Sequence, residues 1–381
     1  MTLRTPERWL FRTILAALIL ALTLAVTTAI GLSAADFDWQ LPKGFPRPVV
    51  PRDNPMTAAK VELGRYLFYD KRISVNGKES CGSCHRQELA FTDGRSRATG
   101  TTGQLHPRSS MSLVNVAYVP ALTWANPVLS SLEEQALIPM LGEDPIELGL
   151  KGRESEFLSV LRRDAGYQRR FAEAFPGEAE AFSLPNVTKA IAAFERSIVS
   201  MRSPYDRYRW GGEPSAIPDA AKRGEILFFS SERAGCFRCH GNWNFSAVLR
   251  YEGGEARGMG METGGGFFNT GVTEYTEPNR GLYERTQRPE DLGKFRATSL
   301  RNIAITAPYM HDGSVATLGE AIDHYAAGGK LAHANKSRIL RPFRLTDGEK
   351  RDLIEFLNSL TDVELLHDPR WSDPWAASVS K

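Results

Sequence analysis

Apolar residues return at helical spacing in several stretches of the chain, and two of these stretches have a near copy elsewhere. From Thr57 to Asp70 the apolar positions Val61, Leu63, Leu67 and Phe68 predict a helix. From Pro185 to Met201, Val187, Ile191, Phe194 and Ile198 recur every three or four residues and predict another. From Thr317 to Ala327, Leu318, Ala321, Ile322 and Tyr325 share one face; Thr317-Leu-Gly-Glu320 opens this helix as a capping box and Gly328-Gly329 ends it. A second box, Thr346-Asp-Gly-Glu349, opens a last helix that turns Leu353, Ile354, Leu357 and Leu360 inward. Within the first helix, Gly64-Arg-Tyr-Leu67-Phe68-Tyr69 is echoed by Gly224-Glu-Ile-Leu227-Phe228-Phe229. An opening and a closing helix therefore occur twice, which predicts a mostly α protein built from one unit used twice, with long loops. The units meet near Ser203–Pro218, which holds Pro204, Gly211, Gly212, Pro214 and Pro218, so the expected domains are 36–205 and 206–381. Asp36–Asn54, rich in proline, reads as an irregular arm, and Gly253–Gly271 as a long glycine-rich loop.

Composition adds little to this and charge excludes something. With 42% hydrophobic and 24% charged residues the chain is an ordinary globular one, and 381 residues exceed the usual single core. A net charge of +2 without a basic stripe leaves nothing to bind nucleic acid. Arg4, Arg8 and Arg12 precede an apolar run from Ile14 to Leu32 and then the small residues Ser33, Ala34 and Ala35. That order predicts an export signal over residues 1–35 and a periplasmic location. The run is also long enough to span a bilayer, so an uncleaved anchor is the alternative.

The four cysteines all lie in two motifs, Cys81-Gly-Ser-Cys84-His85 and Cys236-Phe-Arg-Cys239-His240. C-x-x-C-H is the attachment pattern of a c-type haem: two thiols add to the porphyrin vinyl groups and the next residue offers its imidazole to the iron. A zinc ribbon would bring its second pair within about 15–20 residues, and a dithiol redox pair needs neither the histidine nor a second copy. Two covalently bound haem c are expected, with His85 and His240 each on one face of an iron. On the Thr317–Ala327 helix, Tyr325 falls with the apolar stripe while His324 lies off it; taken alone, Tyr325 also reads as an ordinary core tyrosine.

Four further segments follow in order: Asn269-Thr-Gly271, Asp291-Leu-Gly-Lys-Phe295, Ser299-Leu-Arg-Asn302 and Ala307-Pro-Tyr-Met-His-Asp-Gly313. With the two haem motifs, this series resembles the bacterial dihaem cytochrome c peroxidase and MauG superfamily from about Leu63 to Leu360. The resemblance implies two cytochrome c-like domains. In the peroxidases a methionine ligates the second iron fourteen residues after the histidine of the Tyr-Phe-His-Asp-Gly-like segment. Here Tyr325 stands fourteen residues after His311, the MauG-type pattern. A thioether raises a haem's potential, whereas a phenolate would stabilise oxidised iron.

The same resemblance extends to the first iron. The peroxidases carry a distal histidine in a Gly-His-Gly-Gly-Gln-like loop; the matching stretch is Gly100-Thr101-Thr102-Gly103-Gln104, with Thr101 in its place and His106 displaced from it. The first haem is thus expected to be high-spin and open to hydrogen peroxide, the second low-spin with His240 and Tyr325. By the same matching, Trp124 lies between the haems, Gln135 orients bound peroxide and Glu147 moves its proton. Asn115 with the main-chain carbonyls of Thr306 and Pro308 matches an inter-haem Ca²⁺ site, whose oxygen-only donors suit that ion.

Gly103–Tyr118 resembles the MbnH branch, whose members oxidise a tryptophan of the partner MbnP to kynurenine. The resemblance therefore implies a peroxide-dependent oxidase that forms a high-valent dihaem state and acts on an aromatic residue of an MbnP-like periplasmic partner. The alternative is a cytochrome c peroxidase fed by a small electron-donor protein, with Met259 or Met261 as a substitute thioether. A non-enzymatic electron carrier would need a sixth ligand at the first iron, and the sequence offers no clear one.

Overall fold

The expected helix caps appear where the side chains put them. In the computed structural model, residues 37–257, 265–277 and 279–376 are described. The export signal of residues 1–35, and Met259 and Met261, lie outside the described residues. Helices longer than one turn are α1 (Ala58–Tyr69), α2 (Leu132–Leu141), α3 (Glu154–Arg163), α4 (Ala165–Ala174), α5 (Leu184–Ser197), α6 (Pro204–Arg209), α7 (Asp219–Phe229), α8 (Leu318–Ala326) and α9 (Asp347–Asn358). Thr57 caps α1, and the boxes Thr317/Glu320 and Thr346/Glu349 form at α8 and α9 as the sequence predicts. Among the described residues no helix is long and apolar enough to cross a membrane. The fold is mostly α: among the described residues the sheet consists of two antiparallel ribbons, β1 (Val248–Tyr251) with β2 (Gly254–Arg257), and β3 (Phe267–Phe268) with β4 (Phe295–Arg296). The expected loop from Gly253 thus begins inside a hairpin. Its two-residue turn, Glu252-Gly253, puts Gly253 at φ +87°, where glycine alone is unstrained.

Two helix pairs carry the architecture, and they match atom by atom. Helix α1 crosses α5 at Gly64, where a β-carbon would lie 1.9 Å from the Ala190 carbonyl oxygen; α7 crosses α9 at Gly224, where it would lie 2.0 Å from that of Asp352. Phe194 and Phe356 fill the next turn at both crossings. The repeat continues beyond the helices. Ser112-Leu-Val-Asn115 corresponds to Ser299-Leu-Arg-Asn302, and both asparagines are left-handed at φ +58° and +59°. The Ser200 amide donates to Asn115 Oδ1 at 2.8 Å, and the Asp362 amide to Asn302 Oδ1 at 2.7 Å.

Each pair organises its own core. Leu63, Leu67, Phe68, Ile191 and Phe194 belong to the first; Phe228, Phe245, Leu353, Phe356 and Leu360 to the second. From Trp39 onward the chain nevertheless forms one compact unit holding both cores. The C-terminal residues, assigned by linear order to the second half, pack on the first core through Leu365 and Trp371. Tyr69 Oη donates to the Trp371 carbonyl at 2.7 Å, Trp375 Nε1 to that of Tyr66 at 3.1 Å, and Gln87 Nε2 to that of Leu365 at 2.8 Å. This segment is a strap across α1.

Candidate redox site

Both C-x-x-C-H motifs fold as a single turn of helix, Cys81–Cys84 with His85 at its C-cap, and Phe237–His240 just after Cys236. None of the four cysteines is paired in a disulfide. Burial pushes Cys84, Cys236 and Cys239 up to about 12, and Cys81 higher still. A thiol-exchange centre calls for the opposite shift. Among the described residues no group of three His, Cys, Asp or Glu side chains is placed to hold a metal ion.

The two histidines are prepared identically. His85 Nδ1 lies 2.9 Å from the Phe91 carbonyl oxygen, and His240 Nδ1 lies 2.9 Å from that of Phe245. Both phenylalanines are left-handed, at φ +60° and +51°, an uncommon backbone state that persists where surroundings enforce it. An Nδ1–H donated to a carbonyl leaves the lone pair on Nε2, and burial lowers both pKa values, so each ring is neutral and able to bind a metal.

A cavity in the second half is lined by Cys236, Cys239, His240 and Tyr325, with Trp124 and Met310 also in its wall. Tyr325 reaches it from α8 on the apolar face, as its sequence spacing requires. Burial, then the neighbouring Cys239 and Cys236, raise its phenol pKa far above the ordinary value. The Tyr325 hydroxyl also faces Met310 Sδ at 4.0 Å, and Met310 is left-handed at φ +73°. His324 points elsewhere: its Nε2 lies 3.0 Å from the Thr270 carbonyl oxygen.

The wall near Trp124 contains two residues that motif matching did not assign. His311, 4% exposed, stacks on Phe295 at 3.6 Å and 12°, and meets Trp124 edge-on at 6.5 Å. Burial pushes its pKa down to about 4, and its Nε2 is buried without a partner. Arg296 lines the same cavity and donates Nε–H to the Thr123 carbonyl at 3.1 Å; burial weakens its hold on its proton. A buried guanidinium and an orphaned ring nitrogen beside two thiols and a neutral imidazole are polar groups arranged for an absent partner. Haem c, with vinyl groups for the thiols and carboxylates for the basic groups, fits that donor set. Trp124 itself donates Nε1–H to the Ser109 carbonyl at 2.9 Å.

In the first half burial raises two carboxyl groups, Glu147 to about 7 and Glu195, within α5, to about 8. His106 Nε2 lies 3.9 Å from Glu147 Oε1, too long for a direct hydrogen bond. The Thr101 amide donates to the Glu147 carbonyl at 2.8 Å, so the threonine loop and the glutamate are brought together, while Thr101 Oγ1 donates to Glu79 at 3.0 Å. Gln135 stands partly buried on α2.

Asn115, expected to hold calcium, also takes part in packing between the halves. Asn115 is fully buried, its Oδ1 accepts from the Ser200 amide, and its Nδ2 donates to the Ser200 carbonyl at 3.0 Å and to Asn244 Oδ1 at 2.8 Å. Its twin Asn302 does similar work in the other half, where its Oδ1 accepts from the Asp362 amide. Thr306 and Pro308 lie at the end of a short 3₁₀ turn and in a cis peptide bond with Ala307.

Known proteins share this arrangement. The di-haem cytochrome c peroxidase family profile matches residues 58–214. Cytochrome-c peroxidase IdrP1 of Denitromonas iodatirespirans is 36% identical over 365 residues, 90% of this chain and 93% of that protein. Methylamine utilization protein MauG of Methylorubrum extorquens is 33% identical over 348 residues, 88% of this chain and 90% of that one. The crystal structure of a MauG-like protein associated with microbial copper homeostasis superposes with a TM-score of 0.83 at 45% identity, covering 89% of this chain and 99% of that one. Identity at this level along nine-tenths of the chain places the protein in the dihaem cytochrome c peroxidase and MauG family, peroxide-dependent oxidoreductases that carry two haem c.

Proposed function

We propose that this chain is a MauG-type oxidase of the MbnH branch, which uses hydrogen peroxide to withdraw electrons from an aromatic residue of an MbnP-like partner protein and converts a tryptophan to kynurenine. Tyr325, in the wall of the cavity shared by Cys236, Cys239 and His240, carries the reading. In it, cytochrome c-like domains 36–205 and 206–381 each hold one haem. Cys81, Cys84 and His85 bind the first; Cys236, Cys239, His240 and Tyr325 bind the second. The haems supply the reduction of peroxide and the storage of its oxidising power. A phenol whose pKa burial has raised this far does not ionise unaided, so Tyr325 serves as a phenolate only against a cation. Glu147, raised to about 7, is poised to take a proton from peroxide and give one back. Gln135 orients the peroxide, and Trp124 carries charge between the two sites. The proposed location is the periplasm.

One observation favours the alternative, a cytochrome c peroxidase drawing electrons from a small redox protein. The Met310 thioether sits 4.0 Å from the Tyr325 hydroxyl and could take the ligand position that methionine holds in peroxidases. Mixing the ferric holoprotein with stoichiometric peroxide and a candidate partner, followed by peptide mass spectrometry, separates the two. Oxygen added to a partner tryptophan supports the oxidase. Rapid oxidation of reduced cytochrome c with an unmodified partner establishes the peroxidase instead.

A further inference from the structure

Trp210 is the most exposed of the tryptophans and tyrosines among the described residues, 45% open at the C-cap of α6. Its indole is not isolated. It packs edge-on against Tyr205 at 5.8 Å and against Phe45 at 5.1 Å. Tyr205, 3% exposed, lies 5.5 Å from Phe245, and the Phe245 carbonyl is the acceptor that holds His240 Nδ1. A continuous path of touching groups therefore leads from the second histidine through Phe245 and Tyr205 to the surface at Trp210.

The buried member of this path has a proton acceptor. Tyr205 Oη donates to Glu225 Oε1 at 2.7 Å. A phenol that loses an electron becomes a very strong acid, so a buried tyrosine is oxidised readily only where a base can take its proton. Packing alone would be met by phenylalanine, which fills the neighbouring positions 228, 245 and 356 of the same cluster.

We infer that Trp210 and Tyr205, with Glu225 as proton acceptor, form the port through which electrons from a partner's aromatic side chain enter the second haem site. The inference rests on the oxidase reading. Reduction of one hydrogen peroxide to two waters consumes two electrons and two protons. Each electron passes from the partner side chain to oxidised Trp210, from Trp210 to oxidised Tyr205, and from Tyr205 inward. At each passage Tyr205 gives its proton to Glu225 and takes it back, and the partner side chain is oxidised and releases a proton to water. Lys43 and Arg209 are exposed and close in sequence to Phe45 and Trp210, while Arg207 pairs with Glu213 at 3.8 Å, so the rim keeps a modest positive excess that suits an acidic surround on the partner's aromatic.

The test uses the full holoprotein, hydrogen peroxide and no partner, so that oxidation must fall on the port itself. Peptide mass spectrometry should find oxygen added at Trp210 ahead of Trp39, Trp124 and Trp375. Tyr205→Phe and Glu225→Gln should lower that modification at least tenfold while the haem spectrum and its change on adding peroxide stay as in wild type. Trp210→Phe should leave the spectral change intact and slow its decay. Oxidation concentrated at other residues, or Trp210 oxidation undiminished in Tyr205→Phe, overturns the port and leaves the oxidase reading standing. A wild-type spectrum that does not respond to peroxide overturns both.

Discussion

Tyr325 and His324 are neighbours on one helix with opposite assignments, and that contrast can be measured. Tyr325→Phe should keep covalent haem but lose the low-spin ferric signal in low-temperature EPR. His324→Ala should leave that signal in place, because its imidazole is turned to the Thr270 carbonyl. Conversion by His324→Ala and none by Tyr325→Phe would falsify the ligand assignment. Glu147 makes a different prediction. Its ionised form accepts a proton, so the rate of reaction with peroxide should climb as pH rises through about 7 and then level. Glu147→Gln should be flat with pH and slower by about 10²–10⁴-fold. Stability moves the other way. The folded pKa lies above the ordinary 4.5, so this group's stabilisation is present below 4.5 and is lost as pH rises through about 7. At this scale the sequence revealed what periodicity controls. Tyr325 was legible because a helix face follows from spacing. The packing role of Asn115 was not legible, because nothing local shows that its oxygen accepts from Ser200, 85 residues away. His311 and Arg296 went unassigned because their burial depends on a cavity formed by distant segments.

The helix crossings at Gly64 and Gly224 are the tightest expression of the repeat. A methyl group at either would press on a backbone carbonyl that cannot swing aside. Gly64→Ala and Gly224→Ala should each destabilise the holoprotein by about 1–3 kcal/mol, through overpacking, as read by denaturant unfolding. Equal losses are expected because the two geometries match; a loss at one site alone would show that the crossings are not equivalent. These elements were readable in advance, since a glycine one helical turn before a Leu-Phe pair occurs in both. The second repeated segment, Ser112-Leu-Val-Asn115 and Ser299-Leu-Arg-Asn302, is equally visible once aligned, yet its meaning lies in left-handed asparagines that a sequence does not display. The hairpin at Glu252-Gly253 was hidden by the density of glycine that follows it.

The whole molecule departs from two beads on a string, because the strap from Leu365 to Trp375 belongs to the first core. Linear order could not reveal this. The pattern of Trp371 and Trp375 marks an apolar tail, but only the Tyr69, Tyr66 and Gln87 hydrogen bonds say where it lands. Trp371→Ala should remove a 6%-exposed side chain from that core at a cost of about 3–5 kcal/mol, with the loss of amide-exchange protection greatest in α1. The strap ties the two ends of the described chain to one core. The second core needs nothing beyond Leu360, whereas the first waits for residues made after it. The core whose helices come first in the chain is therefore closed by residues that follow the whole of the second core.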